Sequence, residues 1–95
     1  MTLFELVKQN ICVPDAAKHY GLQVNRNGMC SCPFHEDQHP SMKLNERYFY
    51  CFGCGATGDV IDFVARLFGL NSYEAAQKLS QDFGIDPYKP PAAIA

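Results

Sequence analysis

The sequence predicts an α+β domain, a small antiparallel sheet with helices flanking it at both ends, and three observations carry that prediction. First, two pairs of metal-donor side chains, Cys32-Pro33-Phe34-His35 and Cys51-Phe52-Gly53-Cys54, are separated by residues 36–50, enough chain to fold back on itself. Second, the residues around and between the pairs alternate in polarity, with turn signals at Asn27-Gly28 and Asn45-Glu46. Third, both ends carry apolar residues at helical spacing. A Cys-x-x-His pair facing a Cys-x-x-Cys pair supplies the four donors of a closed tetrahedral zinc site. A small sheet ending in such a site is a zinc ribbon.

Cys32, His35, Cys51 and Cys54 are the expected ligands. A two-residue gap lets a tight turn aim both donors at one ion, with Gly53 and Gly55 supplying the backbone freedom. Mixed thiolate and imidazole donors of borderline softness suit zinc; iron is the minor alternative. Four protein ligands leave no open position, so one structural zinc is expected rather than a catalytic one. Alone, Cys51-x-x-Cys54 reads equally as a thioredoxin-like redox pair, and Cys32 with His35 weighs against that. A disulfide framework fits poorly, because five cysteines is an odd count and Met1-Thr2-Leu3-Phe4-Glu5 lacks the basic start of a signal peptide. A reducing, cytoplasmic setting is therefore expected. Cys30 shares parity with Cys32 and would compete for the ion if its strand continued straight.

In chain order, Leu3 to Gln9 form a helix with Leu3, Phe4, Leu6 and Val7 on a broad apolar face. A short second helix has Pro14 at its first position, Asp15 as favourable negative charge and Gly21 as its stop. In it His19 reads as a solvated or hydrogen-bonded histidine, and Cys12 before it as a small buried apolar residue. Leu22–Asn25 alternates as a strand and turns at Asn27-Gly28 into Met29–Ser31, delivering Cys32. Glu36 to Pro40 is a polar loop containing His39. Ser41–Leu44 and Arg47–Tyr50 form a second hairpin, in which alternation puts Arg47 and Phe49 on one side and Tyr48 and Tyr50 on the other. Phe49 is expected under the helices. Thr57-Gly58-Asp59 opens a helix to Leu67 or Phe68, apolar nearly all round and hence buried, with Asp59 as a helix-start charge and Asp62 solvated. Gly69 ends it. Asn71 and Glu74 form a capping box for a last helix whose stripe is Tyr73, Ala76, Leu79 and Phe83 before Gly84. Residues 1–86 make one domain, and 87–95, with Pro87, Pro90 and Pro91, a proline-rich tail or linker.

The string Cys-Pro-Phe-His, then Pro40-Ser41, then Tyr50-Cys51-Phe52-Gly53-Cys54-Gly55-Ala56-Thr57-Gly58-Asp59, resembles the amino-terminal Cys-His-Cys-Cys zinc-binding domain of bacterial DnaG-type DNA primases. The likeness runs from about Phe4 to Ile85 and departs at Met42, where an aromatic commonly follows the Pro-Ser, and at the extra thiol of Cys30. The resemblance implies a module that binds single-stranded template DNA and helps choose where a primer begins, working with a polymerase domain and the replicative helicase. The module itself is expected to be non-catalytic, because nucleotide transfer needs a carboxylate cluster holding divalent ions and these residues assemble none.

Charge limits how such contact is made. The net charge is -2 and the pI about 5.8, which argues against a protein held to nucleic acid by bulk charge. Contact is expected locally on the sheet, where Arg26, Lys43 and Arg47 track phosphates and Tyr48 stacks on a base. The competing expectation is a zinc-ribbon adaptor for a protein of the replication or transcription machinery. No apolar run reaches membrane-spanning length. At 95 residues the core is small, and a structural zinc worth roughly 10–16 kcal/mol in finger peptides bears on whether the chain folds.

Overall fold

The computed structural model describes residues 2–34 and 40–85. His35, Glu36, Asp37, His39 and the expected tail at 87–95 lie outside the described residues. Helix α1 spans Leu3–Asn10, its start capped by the Thr2 hydroxyl, which accepts the Glu5 amide at 3.2 Å. Helix α2 spans Val13–His19, so Pro14 stands second rather than first. Strands β1 (Met29–Ser31), β2 (Pro40–Leu44), β3 (Phe49–Cys51) and β4 (Thr57–Gly58) follow. Helices α3 (Val60–Phe68) and α4 (Ser72–Asp82) complete the fold. The four strands form one antiparallel sheet in sequence order, the expected zinc ribbon between helices.

The sheet presents one face to the helices and one to solvent, which the period-two pleat enforces. Met42, Leu44, Phe49 and Cys51 point inward and are buried, while Lys43 and Tyr50 point outward. The inward set shares one buried core with Val7 and Val13 from α1 and α2, Ile61, Phe63 and Val64 from α3, and Ala76 and Leu79 from α4, with α3 the helix that meets the sheet and the others packing on it and on one another. Phe49 lies under the helices as expected, edge-on to Phe63 at 5.4 Å.

Several expectations change. Leu22–Asn25 is not a strand: its one backbone bond to β1 is Asn25 N–H to the Met29 carbonyl, and the Asn25 side chain instead accepts the Asn27 and Met29 amides. A side chain that satisfies the turn locally competes with ladder formation. Arg47 and Tyr48 lie in the β2–β3 turn, closed by Asn45 N–H to the Tyr48 carbonyl at 2.8 Å. Thr57 and Gly58 are not the start of α3 but strand β4, pairing with Tyr50 and Phe49.

Asp59 is then the helix cap. It accepts the Asp62 amide at 2.9 Å while the Asp62 carboxylate accepts the Asp59 amide at 3.1 Å. Asp62 is therefore half of a capping box and not merely solvated. Gly58 is required for this join, since a Cβ there would sit 2.6 Å from the Asp62 Cβ. Helix α3 is also less enclosed than its composition suggests, with Phe68 exposed at the end nearest Gly69. The second expected capping box, Asn71 with Glu74, is present. On α4, Ala76 and Leu79 are buried but Tyr73 is exposed, its ring 6.5 Å from Phe4.

Candidate metal centre and nucleic-acid interface

The end of the sheet gathers three sulfurs. Cys32 follows β1, Cys51 closes β3, and the turn after β3 returns Cys54, held by Gly55 N–H to the Cys51 carbonyl and Cys51 N–H to the Ala56 carbonyl, both 2.8 Å. Gly55 adopts φ 78°, the left-handed conformation that ends this knuckle; Gly53 does not use that region. The Sγ atoms of Cys32, Cys51 and Cys54 lie within 4.8 Å of one another. Cys32 and Cys54 are 3.8 Å apart, which is the separation two thiolates take at a tetrahedral ion with Zn–S bonds of about 2.3 Å, namely about 3.8 Å.

Donor chemistry and spacing thus fit zinc. His35, the fourth expected ligand, lies outside the described residues. Cys30 does not join the cluster: it pairs with Met42 and is buried, and a register shift between Cys30 and Ser31 breaks the parity that would have aimed it at the ion.

The sulfurs are unequal. As a free thiol Cys32 is pushed up to about 12, chiefly by burial, with the Phe34 amide opposing at 3.4 Å. Burial opposes ionisation of Cys51 as well, but the Ser41 hydroxyl, the Cys54 amide and the neighbouring thiols outweigh it and draw Cys51 down to about 6. Cys51 therefore gives up its proton more readily than Cys32, whose ionisation a bound cation would favour, which is how a thiolate site couples metal binding to proton release.

The first knuckle is anchored to the core through Phe34. Its ring lies edge-on to Phe49 at 5.7 Å and Phe63 at 5.8 Å, and the Arg66 guanidinium of α3 caps it at 4.8 Å.

On the outer face, beside the second knuckle, is a groove of about 450 Å³ lined by Lys43, Asn45, Tyr48, Tyr50 and Phe52. Tyr48 and Phe52 are 52% and 70% exposed, and the Tyr50 and Phe52 rings meet edge-on at 5.0 Å. Two of the four residues expected to contact nucleic acid, Lys43 and Tyr48, come together here. The Lys43 ammonium donates to the Asn27 carbonyl, in the turn before β1 that also carries exposed Arg26. Arg47 turns the other way: its Nη1 donates to the Lys8 carbonyl at 2.5 Å, in the last turn of α1, where a cation suits the helix dipole. With Val13 N–H bonded to the Glu46 carbonyl at 3.1 Å, that bond fixes the turn carrying Tyr48. Tyr50 and Phe52 were not among the expected contacts, although Tyr48, Tyr50 and Phe52 share one parity in the sequence, a signal that could have found them.

A four-stranded ribbon with a three-thiol centre at its end and an aromatic outer face is a zinc-ribbon module of the kind found at the amino terminus of DnaG-type primases. The profile of the CHC2 zinc finger family, the DnaG zinc ribbon, matches residues 2–91, and the chain belongs to that family. It is 38% identical over 87 residues to a DNA primase of Rickettsia felis, covering 87% of this chain and 15% of that protein. It is 46% identical over 61 residues to a DNA primase of Helicobacter pylori, covering 62% and 11%. The crystal structure of the Aquifex aeolicus primase zinc-binding and RNA polymerase domains superposes with a TM-score of 0.74 at 29% identity, covering 98% of this chain and 25% of that one. The chain therefore spans about a seventh of the Rickettsia relative it matches. No helix among the described residues is long and apolar enough to cross a membrane.

Proposed function

We propose that the chain is the template-contacting zinc module of a primase-type protein, holding single-stranded DNA during primer initiation for a polymerase domain that performs the nucleotide transfer. The module is non-catalytic and works in the cytoplasm with that polymerase domain and the replicative helicase. His35 completes the zinc centre, residues 1–86 form the functional unit, and 87–95 link it onward.

The observation that carries the reading is the outer groove: exposed rings of Tyr48, Tyr50 and Phe52 stand beside Lys43 on a sheet face the helices leave open. Unpaired bases stack on such rings without sequence demands, while cations follow the backbone. Lys43 lines the groove itself, exposed Arg26 precedes the Asn27 that holds the Lys43 ammonium, and Arg47, bonded to the end of α1, steadies the turn that carries Tyr48. Because the net charge is -2, the contact is local and modest in affinity.

The test is titration of fluorescent single-stranded oligonucleotide with the zinc-loaded chain at low and moderate salt. Binding that weakens with salt, with a slope of about -0.7 per phosphate neutralised, is the expected result. No binding at low salt would overturn it and move the function to a protein adaptor. Elemental analysis should return one zinc per chain, and His35→Ala should lose it.

A further inference from the structure

We infer that Ser41 is a positioning residue for the zinc centre, its hydroxyl donating to the Cys51 thiolate and holding that sulfur in ligand geometry. The inference rests on the zinc reading of the three-thiol cluster. Each sulfur meets a different environment. Cys54 is exposed and has water available to it. Cys32 accepts the backbone amide of Phe34 at 3.4 Å. Cys51 is fully buried, so once it carries charge its donors must come from the protein. The Ser41 hydroxyl, with Oγ 3.5 Å from Sγ, is placed to be such a donor.

Ser41 is also tied to the same knuckle through its backbone, where its carbonyl accepts the Phe52 amide at 2.8 Å. One residue of β2 thus grips the second knuckle twice, by a main-chain bond that substitution leaves in place and a side-chain bond that substitution removes. Partners that orient a metal ligand typically set affinity by about 10–100-fold. Hydrogen bonds to a coordinated thiolate also lower the energy of its lone pairs, which shifts the thiolate-to-metal charge-transfer bands of a spectroscopically active ion.

The experiment compares the whole chain with Ser41→Ala, Ser41→Thr and, as a control at the exposed end of β1, Ser31→Ala. Zinc affinity is read by chelator competition and the charge-transfer bands by cobalt(II) substitution. Ser41→Ala is expected to weaken zinc by about tenfold or more and to move the cobalt bands to lower energy. Ser41→Thr, which keeps the hydroxyl, should stay near the unmodified chain, as should Ser31→Ala. Equal affinity and unshifted bands in Ser41→Ala would overturn the inference, as would a Thr variant that behaves like the Ala one. Absence of metal from the unmodified chain would overturn the zinc reading beneath it, so the two failures are distinguishable.

Discussion

Removing the Phe52 ring separates binding from folding more cleanly than any other change on the outer face. The side chain is 70% exposed and its ring contact is with Tyr50 at 5.0 Å, itself on the groove. Truncation to alanine leaves no cavity, so stability should move by no more than about 0.5 kcal/mol. Base stacking on an aromatic ring is worth about 1–3 kcal/mol, and about 1.4 kcal/mol is tenfold in affinity. Phe52→Ala should therefore weaken single-stranded DNA binding by about 5- to 150-fold. No charge is lost, so the salt dependence should keep its slope, whereas Lys43→Ala should flatten it by about 0.7. Fluorescence anisotropy across a salt series, with a thermal melt of each variant, reads all three quantities. Unchanged affinity in Phe52→Ala with an unchanged melt would refute base stacking at this groove.

Three further predictions concern what holds the groove and the metal centre in place. Phe63→Ala empties the middle of the ring cluster it shares with Phe34 and Phe49. It should cost about 3–5 kcal/mol against a typical total of about 5–15, in urea unfolding at saturating zinc, and loosen zinc as Phe34 loses its neighbour; a cost below about 1 kcal/mol would contradict the packing. Asp59→Ala removes the α3 cap and the 3.1 Å ion pair to Lys8 and should cost about 0.5–2 kcal/mol, with Asp59→Asn losing less because it still caps. Tyr20 donates to Asp82 at 2.7 Å, and this bond, then Lys78, holds the Asp82 carboxyl below its ordinary range. A depressed carboxyl stabilises the fold above its unfolded pKa of about 3.9 and loses that contribution as pH falls through the folded value. Tyr20→Phe should cost about 0.5–1.5 kcal/mol near neutrality and make the acid limb of Tm against pH shallower below about pH 4; an unaltered limb would show that the bond does not matter.

What the sequence determined on its own was local. The Cys51-x-x-Cys54 knuckle, the capping box of Asn71 and Glu74, and the stop at Gly69 each depend on residues a few positions apart, whose chemistry is complete without the rest of the chain. The inward face of β2 and β3 was likewise legible from alternation, because one buried side fixes parity. What only the tertiary structure decided were the long-range pairings. Leu22–Asn25 alternates like a strand yet finds almost no ladder partner, because Asn25 satisfies the turn itself. Thr57 and Gly58 carry helix-start chemistry but pair instead with β3, the Thr57 hydroxyl donating to the Phe49 carbonyl at 2.8 Å. Arg47 was read on a strand and is held by the end of α1. The groove and the Ser41–Cys51 contact exist because register sets Met42 opposite Cys51 and Lys43 opposite Tyr50. Register is a choice among pairings between distant segments, settled by which arrangement buries Phe49 and Cys51 against the helices, and no local run of residues encodes that sum.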